Sequence, residues 1–192
     1  MIQAILFDCF GVLVGQGFDA TWRRAGGDPD QDRVFINDTL NAANAGFITL
    51  DEMLAQVCDK LSITPERWME VTAETEQPDQ GLIDYIRDKL KPRYKVAVVS
   101  NAGVGTLERV LTDQQRAVFD AQIVSAEVGH VKPAPEIYQL AAERLGVEPS
   151  VCVFTDDNQP YCDGAEAVGM QAILFRDSQQ FIRELEMILN HT

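Results

Sequence analysis

Residues 5–13 read ILFDCFGVL, that is Ile5-Leu6-Phe7-Asp8-Cys9-Phe10-Gly11-Val12-Leu13. An apolar run without polar alternation, ending on a carboxylate just before a glycine, reads as a buried strand tipped by an acid. A lone acid in that position costs stability unless it is paired or ligated. Asp8 therefore calls for partners elsewhere in the chain. Working outward, short apolar stretches at 94–99, 121–125, 151–155 and 172–175 have the same unalternated character, and helical patterns fall between and after them at 104–111, 135–145, 162–168 and 179–189. Strands alternating with helices in this way specify an α/β fold, a doubly wound, Rossmann-like parallel sheet covered on both faces, with residues 2–7 as a further central strand.

Residues 16–77 break the alternation. They hold no strand-like run and offer helical stretches at 18–25, 30–45, 50–61 and 65–76. Stop and start signals separate these stretches at Gly26-Gly27-Asp28-Pro29, Gly46 and Ser62-Ile63-Thr64-Pro65, with Thr49 and Thr64 placed as N-caps. The expected organisation is an α/β core of residues 1–15 and 78–192, with an all-helical cap of residues 16–77 inserted after the first strand. Such a cap lies over the carboxyl edge of the sheet, where open α/β folds bind ligands, and glycines such as Gly15 and Gly17 suit a hinge at its junction.

Thirty acids against sixteen bases give a net charge of -14. That field repels nucleic-acid phosphates and anionic membrane surfaces, so neither is an expected partner. No apolar run approaches the roughly 20 residues that span a bilayer, and the first residues lack the basic flank of a signal peptide. The expected location is cytoplasmic. Cys9, Cys58, Cys152 and Cys162 have no metal-site or disulfide-scaffold spacing and read as reduced, buried residues.

If the strands are parallel, the polar residues at their carboxyl ends meet on one edge: Asp8, Ser100 with Asn101, Lys132, and Asp156 with Asp157. Together they form a chemically complete set. A carboxylate can attack phosphorus to give an aspartyl-phosphate. Paired acids can hold Mg²⁺, and a lysine with a hydroxyl can neutralise and orient a phosphoryl group.

In these residues the chain resembles the haloacid dehalogenase (HAD) superfamily of aspartate-nucleophile hydrolases. ILFDCFGVL is similar to the family's first motif, VAVVSN (96–101) to its second, GHVKPAPEIYQLAAERLGV (129–147) to its third and VCVFTDDNQPYCDGAEAVGM (151–170) to its fourth. AGFITLDEMLAQV (45–57) looks like the cap helix of its small phosphatase-like members. The resemblance implies Asp8 as nucleophile, Ser100 as a hydrogen-bond partner of a phosphoryl oxygen and Lys132 as the neutralising cation. It implies Mg²⁺ held by Asp8, the carbonyl of Phe10 and Asp156, with Asp157 reaching the metal through water or orienting a neighbour. Cys9, Phe10, Asn101 and Ala102 would complete the phosphate cradle. The implied partner is a small phosphorylated metabolite, with the assembly a monomer or homodimer.

One position departs from the pattern. Family phosphatases usually carry a second aspartate two residues after the nucleophile, to protonate the leaving oxygen and then activate water, and here that residue is Phe10. General acid-base assistance is worth about 10² to 10⁴ in rate. Three readings stay open: a slow or specialised phosphatase, a phosphate-binding pseudoenzyme, and a metal-independent 2-haloacid dehalogenase. The adjacent acids Asp156 and Asp157 argue for the metal. His130 is a candidate replacement acid, and Arg23 and Arg24 are candidate contacts to an anionic substrate. Trp22 and Trp68 are expected to pack between the inserted helices.

Overall fold

The computed structural model describes residues 1–15 and 17–190. Gln16, where the sequence reading opens the insert, lies outside the described residues. The chain begins with β1 (Ala4–Phe7), all four of whose residues are buried. Four helices follow: α1 (Phe18–Arg24), α2 (Arg33–Asn44), α3 (Leu50–Leu61) and α4 (Pro65–Thr75). Next come α5 (Gln80–Tyr85), continued by a π-type turn over Ile86–Leu90, then β2 (Lys95–Ser100), α6 (Thr106–Val110), α7 (Asp113–Arg116) and β3 (Ala121–Val124). The remainder is α8 (Ser125–Val128), α9 (Pro135–Leu145), β4 (Cys152–Asp156), α10 (Gln159–Ala167), β5 (Gln171–Leu174) and α11 (Ser178–Asn190).

The five strands form one parallel sheet in the order β3-β2-β1-β4-β5. Winding runs outward from β1 to β3, then crosses to β4 on the other side of β1. This makes the β1/β4 seam the topological switch point, the crevice in which open α/β sheets bind ligands. Alternate residues serve opposite faces. Ile5 and Phe7 join Val96, Val98, Val153 and Ile173 beneath α5, α6 and α11, while Ala4 and Leu6 join Ala97, Val99 and Phe154 beneath α9 and α10. Burial on both faces is the reason the central strands carry apolar runs without alternation, while the edge strands β3 and β5 are partly exposed and include Gln122 and Gln171.

The inserted helices have a core of their own, in which Trp22, Ile36, Val57, Cys58 and Trp68 are buried, with Phe18 ring-to-ring against both tryptophans. Their ends follow local chemistry. Thr49 accepts from the Glu52 N–H while Glu52 bonds back to Thr49, a complete capping box on α3. Ser62, at φ 54, stops α3 in the left-handed region. Thr64 caps α4, and Pro65 fills its first turn. The insert's two connections run side by side: Val14 bridges Pro78 in antiparallel sense, the Gly15 N–H donates to the Gln77 carbonyl (2.8 Å) and the Asp79 N–H to the Leu13 carbonyl (2.8 Å).

Several expected boundaries move. The helix expected at 104–111 is only Thr106–Val110, because Gly103 and Gly105, the latter at φ +78, keep the preceding segment in a loop. The helix expected from 162 begins at Gln159, with Pro160 in its first turn. Ser125 leaves the strand and starts α8. α5, α7 and α8, all short, were not expected. Among the described residues no helix is long and apolar enough to cross a membrane.

Candidate functional site

β1 and β4 are in register with Phe7 opposite Thr155, so Asp8 and Asp156 emerge side by side at the switch point. The Asp8 N–H donates to the Thr155 carbonyl (2.9 Å), carrying the sheet ladder one residue past the strand. Between the two acids lies the Lys132 ammonium. Its Nζ donates to Asp8 Oδ1 and to Asp156 Oδ2, each at 2.6 Å, with the lysine side chain 1% exposed. The faces of Phe154 and Tyr161 flank the same ammonium at 5.5 and 4.9 Å from their ring centres. The second oxygen of Asp156, Oδ1, accepts from the Asn158 N–H (2.9 Å).

Asp157 completes the group. Asp8, Asp156 and Asp157 each offer a carboxylate oxygen, and these oxygens lie within 4.8 Å of one another. Gly11, at φ +86, makes this approach possible, since a Cβ there would collide with the Asp157 carboxylate. Three acids facing one lysine carry excess negative charge on hard oxygen donors, a set that fits a divalent cation such as Mg²⁺. Beside them the Ser100 hydroxyl is buried without a hydrogen-bond partner. A buried orphan hydroxyl at a strand tip is a costly feature that an anionic ligand would satisfy.

Burial pushes Asp8 up to about 6, with the Asp156 charge adding to it and Lys132 pulling the other way. Burial also raises Asp156 against the pull of Lys132, and burial together with the Asp8 charge raises Asp157. For Lys132, burial opposes the charge, but Asp8 and Asp156 outweigh it and hold the amine above its ordinary range. Lys132 is therefore a fixed cation. Burial and mutual repulsion make ionisation of these carboxylates costly, a cost that further positive charge would relieve.

The other expected residues divide. Asn101 is at the site, but its side chain is committed: Nδ2 donates to the Lys132 carbonyl (2.9 Å) and Oδ1 accepts from the Lys132 N–H (2.7 Å). It braces the lysine's loop. Ala102 is corrected out of the anion cradle, because its N–H donates to Ser125 Oγ (3.0 Å). The Cys9 thiol is buried, and burial and the Asp8 charge push its pKa well up, which leaves the thiol inert. His130 is exposed in its loop. Arg23, ion-paired with Asp30 at 3.6 Å, lines the opening above the carboxylates, and Arg24 is paired with Glu74.

Phe10 has two neighbourhoods. It lines the polar cleft that holds Asp8, Ser100, Lys132 and Asp157, and it also lines an adjoining cavity of about 400 Å³ between the inserted helices and the sheet edge, which shares Phe18, Asn44 and Asn101 with the cleft. Residues the sequence did not single out also contribute. Tyr161 stacks on Lys132. Ser125 Oγ, besides accepting from Ala102, donates to the Asn44 carbonyl at the end of α2 (2.6 Å). Glu76, only 8% exposed in its side chain, pairs with Arg109 at 2.6 Å across the junction of insert and core. Each depends on a contact between positions far apart in sequence, and none stands in a recognisable local pattern.

A buried carboxylate, a fixed ammonium and two further acids thus meet at the switch point of the sheet. The haloacid dehalogenase-like hydrolase model matches residues 2–169, and the chain belongs to that family. D-ribitol-5-phosphate phosphatase of Bacteroides thetaiotaomicron is 24% identical over 209 residues, covering 99% of this chain and 100% of that protein. Bifunctional epoxide hydrolase 2 of Sus scrofa is 27% identical over 220 residues, and the matched region is 97% of this chain but 39% of that longer protein. Among solved structures, a HAD family enzyme of Bacteroides thetaiotaomicron in complex with magnesium and inorganic phosphate superposes with a TM-score of 0.72 at 18% identity, covering 93% of this chain and 96% of that one. At that identity the likeness concerns the fold.

Proposed function

We propose that the protein is a Mg²⁺-dependent phosphatase of small phosphate monoesters, working through an aspartyl-phosphate on Asp8 and restricted to leaving groups that depart with little protonation. The observation that carries this reading is the buried Asp8–Lys132–Asp156 arrangement beside the unpartnered Ser100 hydroxyl. Asp8 attacks phosphorus, Lys132 neutralises the phosphoryl oxygens and holds Asp8 in place, and the Ser100 hydroxyl donates to one of those oxygens. Asp8, Asp156, Asp157 and the Phe10 carbonyl are the groups that would hold Mg²⁺, which supplies charge neutralisation at the phosphoryl oxygens when bound. Asn101 positions Lys132 from behind.

Residues 16–77 act as a cap whose closure excludes water, with Gly15 and Gly17 at its junction. Phe10 supplies no proton to the leaving oxygen, so the leaving group's own acidity sets the rate. The substrate is a small phosphorylated metabolite, and four unpaired buried cysteines suit work in the reducing cytoplasm.

The test is phosphate release from aryl and alkyl phosphates with Mg²⁺ and with chelator. Turnover of aryl phosphates that needs Mg²⁺ and disappears in Asp8→Asn is the expected result. Phosphate binding with no turnover of any ester would instead establish the pseudoenzyme reading, which Phe10 favours. Halide release from 2-haloacids without metal would establish the dehalogenase reading.

A further inference from the structure

Phe10 does more than withhold an acid, because its ring is also a wall of the 400 Å³ cavity. That volume is within the roughly 300–1,000 Å³ of small-ligand pockets. The lining is dominated by Phe10, Phe18, Leu40, Met53, Leu54 and Trp68, contributed by the first loop, α1, α2, α3 and α4. Several polar groups on its wall are already engaged, while the Thr106 hydroxyl is buried without a hydrogen-bond partner. Glu76 is paired with Arg109, the Thr72 hydroxyl donates to the Met69 carbonyl (3.0 Å), and the Asn101 side chain is committed to Lys132. A polyol placed there would find few partners for its hydroxyls beyond that of Thr106, and each hydroxyl buried unpaired would weaken its binding.

Because Phe10 faces both spaces, a phosphate ester seated on Asp8 would place its leaving group past that ring and into the apolar cavity. The missing proton donor narrows the leaving group further. An alkyl alcohol holds its proton nearly as tightly as water, at about 15.7, whereas a phenol resembles tyrosine, at about 10. An apolar chamber and an absent acid both select an aryl leaving group.

We propose that this cavity is the leaving-group site and that the substrate class is phosphate monoesters of apolar phenols, in place of sugar or polyol phosphates; the assignment rests on the phosphatase reading of Asp8. An Asp8 oxygen bonds to phosphorus as the phosphorus–oxygen bond to the ring breaks and its electron pair leaves on the phenoxide. Water then bonds to phosphorus as the aspartyl bond breaks, which returns the carboxylate and releases inorganic phosphate, the water's proton passing to phosphate or solvent.

A series from phenyl phosphate to 4-butylphenyl phosphate tests this, since para-alkyl groups scarcely change phenol acidity and differences therefore report the cavity. The expected result is kcat/KM rising by about two- to fourfold per methylene, with polyol phosphates slower than phenyl phosphate. Leu54→Glu should remove at least tenfold of the 4-butylphenyl rate while inhibition by inorganic phosphate is kept; Met53→Glu serves if Leu54→Glu fails to fold. Calorimetric binding of 4-butylphenol, lost in the same variant, reads the cavity without turnover. If phenyl phosphate is hydrolysed but the series is flat, 4-butylphenol does not bind, or polyol phosphates are preferred, the assignment is overturned and the phosphatase reading stands. If 4-butylphenol binds but no ester is turned over, the phosphatase reading fails and with it the substrate class.

Discussion

Replacing Phe10 with aspartate should raise turnover of alkyl phosphates by about 10² to 10⁴, the usual worth of a positioned acid-base group, and that of aryl phosphates by less, because phenoxide needs no proton. Steady-state rates across leaving groups of graded acidity check this: the dependence on leaving-group pKa should flatten in Phe10→Asp. Lys132 is a second single-residue test. Lys132→Ala leaves Asp8 and Asp156 buried without their shared cation, and removing one partner of a buried ion pair costs about 3–5 kcal/mol. Urea unfolding should show that loss, with part of it restored by Mg²⁺. The pH dependence has a definite sign. Asp8 is held at about 6 in the folded chain against an ordinary 3.8. Below the lower value it is protonated in both states and carries no penalty. As pH rises towards 6 the unfolded chain ionises first, so the metal-free site loses stability across that window and has lost this contribution fully above it. A divalent ion needs deprotonated ligands, so the Mg²⁺-induced rise in Tm should be small near about pH 5 and grow through about pH 7.

At the scale of elements, the site depends on how loops and helix ends are tied to the strand tips. Ser125 is the clearest tie, because its hydroxyl holds the Ala102 amide on one side and the α2 terminus on the other. Ser125→Ala should cost about 1–3 kcal/mol, the penalty for leaving a buried backbone donor unsatisfied. Thermal unfolding reads the loss of stability, and slower aryl phosphate turnover should accompany it, since the Ala102 loop carries Asn101 beside it. Legibility in the sequence divides along the same line. The capping box at Thr49 and the Thr64-Pro65 start of α4 were readable because their chemistry spans three or four residues. The strands were readable because burial on both faces leaves them no polar alternation. α5 with its π-type turn escaped because Arg87, Asp88 and Lys89 make its second half look solvated, although Ile86 and Leu90 are fully buried. Ser125 and Tyr161 escaped for a different reason: each acts through partners brought near only by the assembled fold. Asn101 lies beside Lys132, and its bond to the Lys132 backbone could not be read from its type.

For the whole molecule, the site shares the sign of a strongly negative protein, with three acids facing one lysine. A net charge of -14 repels a phosphate ester on approach, and Lys132 is already neutralised by Asp8 and Asp156. Raising ionic strength from about 0.01 M to about 0.15 M shortens the Debye length from about 30 Å to about 8 Å and screens that repulsion. With saturating Mg²⁺, kcat/KM for a dianionic ester should therefore rise with added salt, where a basic pocket would show a fall; initial rates in chloride salts at fixed Mg²⁺ decide between the two. Fold and switch-point site were legible at this scale because topology collects the strand-end acids without any help from fine packing. The apolar cavity was not, since its walls come from helices whose mutual arrangement no periodicity encodes.

The paired connections at Val14 and Pro78 have a consequence for how such a molecule can be rebuilt. Antiparallel neighbours stand about 5 Å apart, so the chain leaves the sheet and returns to it almost at the same point. We propose that everything between forms a module, tied to the core also by the Ser125–Asn44 and Arg109–Glu76 contacts. A short turn joining the two ends should close without disturbing β1, and a foreign bundle with equally close termini should be accepted in the same place. The helices that wall the proposed leaving-group cavity could then be exchanged as a cassette, with the strand-end acids left as they are.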